Sequence, residues 1–104
     1  LAIVTMPATL SPEAQAGQQA FAANCASCHG TDAEGRAGTA PPLIHKIYEP
    51  GHHSDTAFVM AARSGVRAHH WTFGDMAPVP DVTDAELAHI IRFVREVQVA
   101  NGIM

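Results

Sequence analysis

Two thiols and an imidazole stand together near residue 25. Cys25, Cys28 and His29 form a Cys-x-x-Cys-His pattern, and the chain contains no other cysteine. Each thiol can add across one vinyl group of a porphyrin, and the two intervening residues let the pair span neighbouring vinyls. The imidazole can then bind the iron from the proximal side. The pattern therefore predicts covalent attachment of one c-type haem.

Three other interpretations use the same residue types. A redox-active Cys-x-x-Cys is expected after a strand and at the start of a helix, whereas the residues before Cys25 have a helical pattern and those after His29 are rich in glycine. A structural zinc site would recruit two of the seven histidines. The simplest alternative is two buried thiols beside an unrelated histidine. The complete pentapeptide favours haem over all three.

Composition sets the size and the partners. The 104 residues make one domain, near the size at which an apolar core is barely sufficient, and only 6% are aromatic. A buried haem would add a large apolar group to that core. Lys46 is the only lysine, beside five arginines, and the net charge is −4. We expect no nucleic-acid partner, because phosphate binding needs a basic patch.

Helical patterns predict the elements that must position this motif. Residues 11–24 begin with Ser11 as N-cap and continue with Pro12, and residues 54–65 form a second candidate helix with an apolar stripe that includes Met60. Thr83 and Glu86 make a capping box before the strongest pattern, which reaches Ala100. The apolar positions of this last helix recur at helical spacing, at Leu87, Ile90, Ile91, Val94 and Val97.

The intervening segments are irregular. Residues 30–42 are punctuated by glycine and proline and are expected to wrap the proximal side of the haem, and residues 43–50 to contain a short helical turn. Gly17 lies in the middle of the first helix, four residues before Phe21, which suggests a close helix crossing there. No alternating pattern indicates a sheet. The fold class predicted is small and all-α.

Four features, taken together, resemble the class I bacterial c-type cytochromes. They are Gly17-x-x-x-Phe21, the Cys25–His29 pentapeptide, Pro41-Pro42-Leu43, and Gly74-Asp-Met-Ala-Pro78 before the last helix. They cover residues 11–100. The resemblance implies a small cytochrome c fold of three to five helices around one covalently attached haem, formed by residues 11–104 after an N-terminal arm at residues 1–10.

The resemblance also implies roles for individual residues. His29 corresponds to the proximal ligand, and Pro41 to the proline whose carbonyl accepts a hydrogen bond from the other imidazole nitrogen, which fixes the ring. Leu43 corresponds to an apolar residue on the haem edge. Phe93 can fill the place of an aromatic at the crossing of the first and last helices. Relatives often have Gly-Pro where this chain has Ala40-Pro41.

The sixth ligand is expected to be a methionine. Met76 matches the distal ligand of the family, and a thioether in an apolar pocket favours ferrous iron. Met6 and Met104 lie near the chain ends. Met60 lies in a helical stripe, where a core role is expected.

Histidine pairs supply the main alternative. One of His52-His53 and His69-His70 could bind the distal iron, or a pair could hold copper or zinc, although solvated side chains are the favoured interpretation because adjacent residues seldom converge on one metal. Trp71 could donate its indole N–H to a haem propionate or to a backbone carbonyl within the core. Arg67 is expected in solvent, although it could pair with the same propionate.

A six-coordinate haem predicts a soluble one-electron carrier that is not an enzyme. It would shuttle electrons between respiratory redox proteins through an apolar patch made by Ala26, Ser27 and residues 77–79, with rates that depend weakly on ionic strength. Two alternatives remain, a haem enzyme or gas-binding module with a labile sixth ligand, and the haem domain of a larger oxidase complex. A monomer is expected, with a weak dimer as the alternative.

The N-terminal residues are relevant to the cellular location of the protein. Leu1 to Met6 is an apolar run, much shorter than the roughly 20 residues that span a bilayer. It packs on the surface as an arm or remains from a longer processed segment. Because thioether attachment occurs on the oxidising side of a bacterial membrane, we expect a periplasmic protein whose signal peptide has been removed, with no stable membrane insertion.

Overall fold

Helices form most of the regular structure in the part of the chain that the structure describes. The structure is a computed structural model, and it describes residues 3–67 and 74–104. In order these are α1 (Pro12–Asn24), α2 (Ala26–His29), a 3₁₀ turn (Lys46–Tyr48), α3 (Asp55–Ser64) and α4 (Asp84–Ala100). Within those residues the extended pairing is limited to isolated bridges, Arg36 with Ala40 and Val66 with Met76. The all-α prediction is confirmed.

The helix starts follow from their capping residues. Ser11 Oγ accepts a hydrogen bond from the Ala14 N–H at 3.1 Å, and Pro12 occupies the first turn of α1. At the start of α4 the Glu86 N–H donates to Thr83 Oγ1 at 3.1 Å, while the Thr83 N–H donates to the Glu86 carboxylate at 2.9 Å. These bonds satisfy N–H groups that have no partner within the helix.

The first and last helices cross in direct backbone contact. A Cβ atom on Gly17 would lie 1.8 Å from the carbonyl oxygen of His89, so only glycine lets α1 approach α4 this closely. Beside the crossing, the rings of Phe21 and Phe93 lie 5.5 Å apart between centroids and are tilted by 54°. Both predictions for this crossing are confirmed.

The hydrophobic core lies mainly between α1 and α4. The predicted stripe of α4 is buried at every position, together with Phe93. The α4 side chains concerned are Leu87, Ile90, Ile91, Phe93, Val94 and Val97. From α1 the buried residues are Ala14, Gly17 and Phe21. The fourth helix is therefore the centre of the fold.

Helix α3 buries much less, and one prediction for it is wrong. Ala62 is its buried residue, whereas Met60 is 57% exposed instead of belonging to the core. The two positions are two residues apart, about 200° around a helix, so they point to opposite sides. Arg63 ties this helix to the start of α4, since it donates to the Val82 carbonyl and to the Asp84 carboxylate, each at 2.6 Å.

The N-terminal arm packs on its own chain. Thr5 and Asn101 exchange two hydrogen bonds, of 2.9 Å and 2.8 Å, and Val4, Met6 and Leu10 pack against the core. The segment from Val4 onwards therefore packs as an arm, and processing of a longer segment stays a prediction. Among residues 3–67 and 74–104, no helix combines the length and the apolar content that a bilayer span requires.

Candidate functional site

The Cys-x-x-Cys-His motif occupies a separate helical turn. Helix α1 ends where the Cys25 N–H donates to the Phe21 carbonyl at 2.8 Å, and α2 closes where the His29 N–H donates to the Cys25 carbonyl at 2.9 Å. Residues three apart on such a turn lie on one side, so Cys25 and Cys28 are presented together. Both are free thiols, Cys25 half-buried and Cys28 exposed.

One ring nitrogen of His29 makes a hydrogen bond within the protein. Its Nδ1 lies 2.9 Å from the carbonyl oxygen of Pro41. Because a carbonyl can only accept, the proton is on Nδ1 and the lone pair on Nε2. The residue is 7% exposed, and this burial lowers the pKa of His29, with the bond to Pro41 acting in the opposite direction. A neutral imidazole with its Nε2 lone pair unprotonated is the form that binds a metal.

The glycine-containing loop after His29 delivers that carbonyl. The Gly35 N–H donates to the His29 carbonyl at 2.6 Å, so the loop folds back at once. Gly35 has φ +83°, and a Cβ there would lie 2.6 Å from the Pro42 nitrogen. Ala40, which replaces the glycine expected from relatives, pairs with Arg36 in a bridge. The turn before Pro41 is therefore closed without a glycine at position 40.

Leu43 is held at the end of the same loop. Its N–H donates to the Ala33 carbonyl at 2.9 Å, and its half-buried side chain packs against the core. Its carbonyl accepts a hydrogen bond from Gln98 Nε2 at 3.0 Å. Sequence reasoning missed Gln98, which is fully buried on α4.

Arg95 is a second residue that sequence reasoning missed. Its guanidinium donates to the Tyr48 carbonyl at 2.6 Å, the His53 carbonyl at 2.5 Å and the Asp55 carboxylate at 2.8 Å. It also lies 4.7 Å from the centre of the Phe58 ring. Arg95 is one of five charged residues on α4, so its residue type alone gave no signal. Arg95 thus connects the segment after Leu43 to α4.

Met76 is fixed through its backbone. Its N–H donates to the Val66 carbonyl at 2.8 Å, and its own carbonyl accepts from the Val66 N–H at 2.9 Å. Its side chain is half-buried. Val66 lies two residues after the end of α3, so these bonds connect Met76 to that helix. The sequence did not predict this connection. Trp71, His69 and His70 lie outside the described residues, so their predicted roles stay predictions.

The remaining histidine pair is engaged with its neighbours. The rings of His52 and His53 stack with centroids 5.3 Å apart, and His53 Nδ1 lies 2.6 Å from the Ile47 carbonyl oxygen. In residues 3–67 and 74–104, no three or more His, Cys, Asp or Glu side chains are grouped to hold a metal ion.

The predicted surface patch needs two corrections. Ser27, Ala77 and Pro78 are exposed, as is the neighbouring Cys28, but Ala26 is buried, at 9% exposure, and Val79 is half-buried against the core. Ala26 is the first residue of α2 and packs into the hydrophobic core, because the turn runs directly against α1. We call the four exposed residues the edge patch.

The donor set fits a covalently bound haem. It comprises the free thiols of Cys25 and Cys28 on one turn, the neutral imidazole of His29 with an unprotonated Nε2, and Met76, whose backbone is hydrogen-bonded to Val66. Burial, with a smaller contribution from Cys28, raises the pKa of Cys25 to about 11, so the thiol of the folded chain is protonated. A thioether bond replaces that proton and leaves no charge to bury.

Comparison with known proteins identifies the family of the chain. Residues 14–98 match the family described as Cytochrome c. Two proteins of Rhodobacter capsulatus, both named Cbb3-type cytochrome c oxidase subunit CcoP, are 34% and 35% identical over 84 and 85 residues. Those matches cover 78% and 79% of this chain and 28% of each relative. No solved structure gives a significant match. The chain belongs to the cytochrome c family.

Proposed function

We propose that this chain carries single electrons on one haem c, which Cys25 and Cys28 would attach covalently and His29 and Met76 would ligate. The contact between His29 Nδ1 and the Pro41 carbonyl supports the proposal most directly, because it leaves Nε2 as the ligating atom. When bound, the haem supplies the one-electron couple of its iron. Membership in the family supports electron transfer as the general function.

Each residue has a defined part in this function. His29 holds the proximal side and, being neutral, adds no charge. The Met76 thioether is also neutral, so the form of lower charge is favoured in an apolar pocket and the reduction potential rises. With both His29 and Met76 as ligands, the iron would have no open position for a substrate, and the chain would transfer electrons without catalysing a reaction. Leu43 is proposed to pack on the haem edge.

Replacement of Met76 tests the ligand set. Oxidised parent protein should show the near-infrared sulfur-to-iron charge-transfer band, and Met76→Ala should lose it and lower the potential. Met60→Ala is the matched control, because Met60 is 57% exposed on α3, and it should change neither. A parent without the band that binds carbon monoxide readily would instead support the alternative of a gas-binding or peroxidase-like module.

The partners are proposed to be redox proteins that dock at the edge patch. It consists of the small or apolar side chains of Ser27, Cys28, Ala77 and Pro78, and the chain has a single lysine. Contacts there would be small and transient. We propose a periplasmic location, since haem attachment to thiols takes place on that side of the membrane.

A second candidate is a domain of a terminal oxidase. It is favoured by the two relatives, which are named as subunits of a Cbb3-type cytochrome c oxidase and of which this chain spans about 28%. A haem-stained denaturing gel of periplasmic and membrane fractions, probed with an antibody to this chain, separates the two. A periplasmic band of the size of 104 residues supports the carrier. A several-fold larger membrane band supports the oxidase domain.

A further inference from the structure

A hydrogen-bonded connection joins the end of α3 to the segment that carries Met76. Val66 and Met76 exchange two backbone hydrogen bonds of 2.9 Å and 2.8 Å, and the Val79 N–H donates to the Ala62 carbonyl at 2.7 Å. The last of these satisfies a carbonyl at the end of α3 that has no partner within the helix. Three bonds therefore hold the backbone of the methionine itself and of the residue three positions after it.

Gly65 makes this approach feasible. It follows α3 with φ +78°, a conformation that residues with a Cβ rarely adopt. A Cβ there would also lie 2.4 Å from the Met76 carbonyl oxygen and 3.2 Å from Pro78 Cδ. Alanine at position 65 would thus carry a backbone cost and would push the methionine segment away from α3.

A series of contacts links Met76 to α4 through α3. Arg63, near the end of α3, is bound to Val82 and Asp84 at the start of α4, with both contacts at 2.6 Å. The proximal turn, α2, continues from α1, which crosses α4 at Gly17. The two candidate ligands are therefore both linked to α4, His29 through α1 and Met76 through α3.

We propose that Gly65 and Val66 are positioning residues, which set the place of Met76 and so the strength of its bond to the haem iron. This inference rests on the proposed ligation by Met76. With the connection intact, the thioether stays in place and excludes external ligands. With the connection loosened, a larger fraction of molecules has the sixth position open, and the apparent affinity for an added ligand rises in proportion to that fraction.

Two glycine variants of the haem-containing protein test the inference. Gly65→Ala should weaken or abolish the sulfur-to-iron charge-transfer band and bind imidazole about tenfold more tightly or better. Gly102→Ala is the matched control, because Gly102 also follows a helix, has φ +75°, and would have no atom within 4 Å of an added Cβ. The control carries the same backbone cost but should leave the band and the imidazole affinity at parent values.

A third variant covers the case in which Gly65→Ala does not fold. Val79→Pro removes the N–H that donates to the Ala62 carbonyl, and the proline ring carbon in its place would crowd the same carbonyl, so both effects loosen this one contact. It should also raise imidazole affinity, by a smaller factor. Retention of the band and of parent affinity in the folded variants would overturn the positioning role while leaving Met76 as ligand. An equal change in Gly102→Ala would overturn it as well, and a parent without the band would overturn the ligation itself.

Discussion

Gln98 shows how one polar side chain can organise a segment near the site. Its Nε2 donates to the carbonyls of Leu43 and Tyr48, each at 3.0 Å, and its Oε1 accepts from Arg95 at 2.9 Å. The residue is completely buried, so every bond it makes replaces one to water. Removing the amide would leave the Leu43 carbonyl and one Arg95 N–H without this partner.

We therefore expect Gln98→Leu to destabilise the protein by about 1–3 kcal/mol, the cost of buried polar groups that lose their partners. Denaturant unfolding of the haem-containing protein measures this. Gln19→Leu, on the exposed side of α1, is the control and should change stability by less than about 0.5 kcal/mol. Equal effects of the two variants would show that the side-chain hydrogen bonds of Gln98 contribute nothing to stability.

Whether the role of a residue could be predicted depended on how far away in the sequence its contacts lie. The roles proposed for Cys25, Cys28 and His29 rest on their spacing within five residues, which a sequence displays directly. Gly65 was recognised as the end of a helix, but its contact with the Met76 carbonyl depends on a fold that brings residues eleven apart together. The role of Gln98 was not predictable, because the two carbonyls to which it donates lie 55 and 50 residues earlier in the chain.

At the scale of elements, the α1–α4 crossing decides the architecture, and Gly17 permits it. Helix propensity alone predicts that Gly17→Ala stabilises α1 by about 1 kcal/mol. The new Cβ would lie 1.8 Å from the His89 carbonyl, however, so we expect destabilisation of about 1–3 kcal/mol or more. The sign of the change in thermal midpoint distinguishes the two. Gln19→Ala, on the same helix and exposed, should be neutral or slightly stabilising.

A carboxylate on α4 also holds the start of α1. Glu96 accepts from the Ser11 N–H at 3.0 Å and from the Ser11 hydroxyl at 2.5 Å, and it pairs with Arg92 at 2.5 Å. Burial is the largest influence and acts against ionisation, but these bonds together hold the pKa of Glu96 below its usual value of 4.5. The unfolded chain therefore takes up this proton at a higher pH than the folded chain does.

It follows that Glu96 stabilises the fold above about pH 4.5, and that this contribution is lost as the pH falls through the lower folded pKa. Glu96→Gln should cost about 1 kcal/mol at pH 7 and progressively less towards pH 3. Unfolding midpoints of parent and variant across that range measure the difference. Asp81→Asn, an exposed carboxylate in a turn, is the control. If the difference in unfolding midpoint between parent and Glu96→Gln does not become smaller in acid, Glu96 is not the source of this pH-dependent stability.

For the whole molecule, the all-α class and the order of α1, α3 and α4 were predictable because apolar periodicity and capping residues are local signals, whereas the short helix α2 was not predicted. The exposure of Met60 was not, since a stripe on α3 does not say how much of it finds a partner. The structure shows that the core is concentrated on α4, which buries seven residues, whereas α3 buries Ala62 alone. The segments on the α3 side therefore depend on polar connections and, in the proposed holoprotein, on the haem.

This distribution predicts what loss of the haem does. A Cys25→Ser/Cys28→Ser chain without haem should keep amide-hydrogen protection in α1 and α4, whose apolar contacts are internal to the protein. Protection in α3 and around Met76 should fall to a small fraction of the value in the haem-containing protein, because little apolar burial remains to order them. Hydrogen exchange followed by mass spectrometry resolves the two regions in one experiment, with the haem-containing parent as control. Protection in α3 equal to that in α4 without haem would show that the polar connections alone suffice.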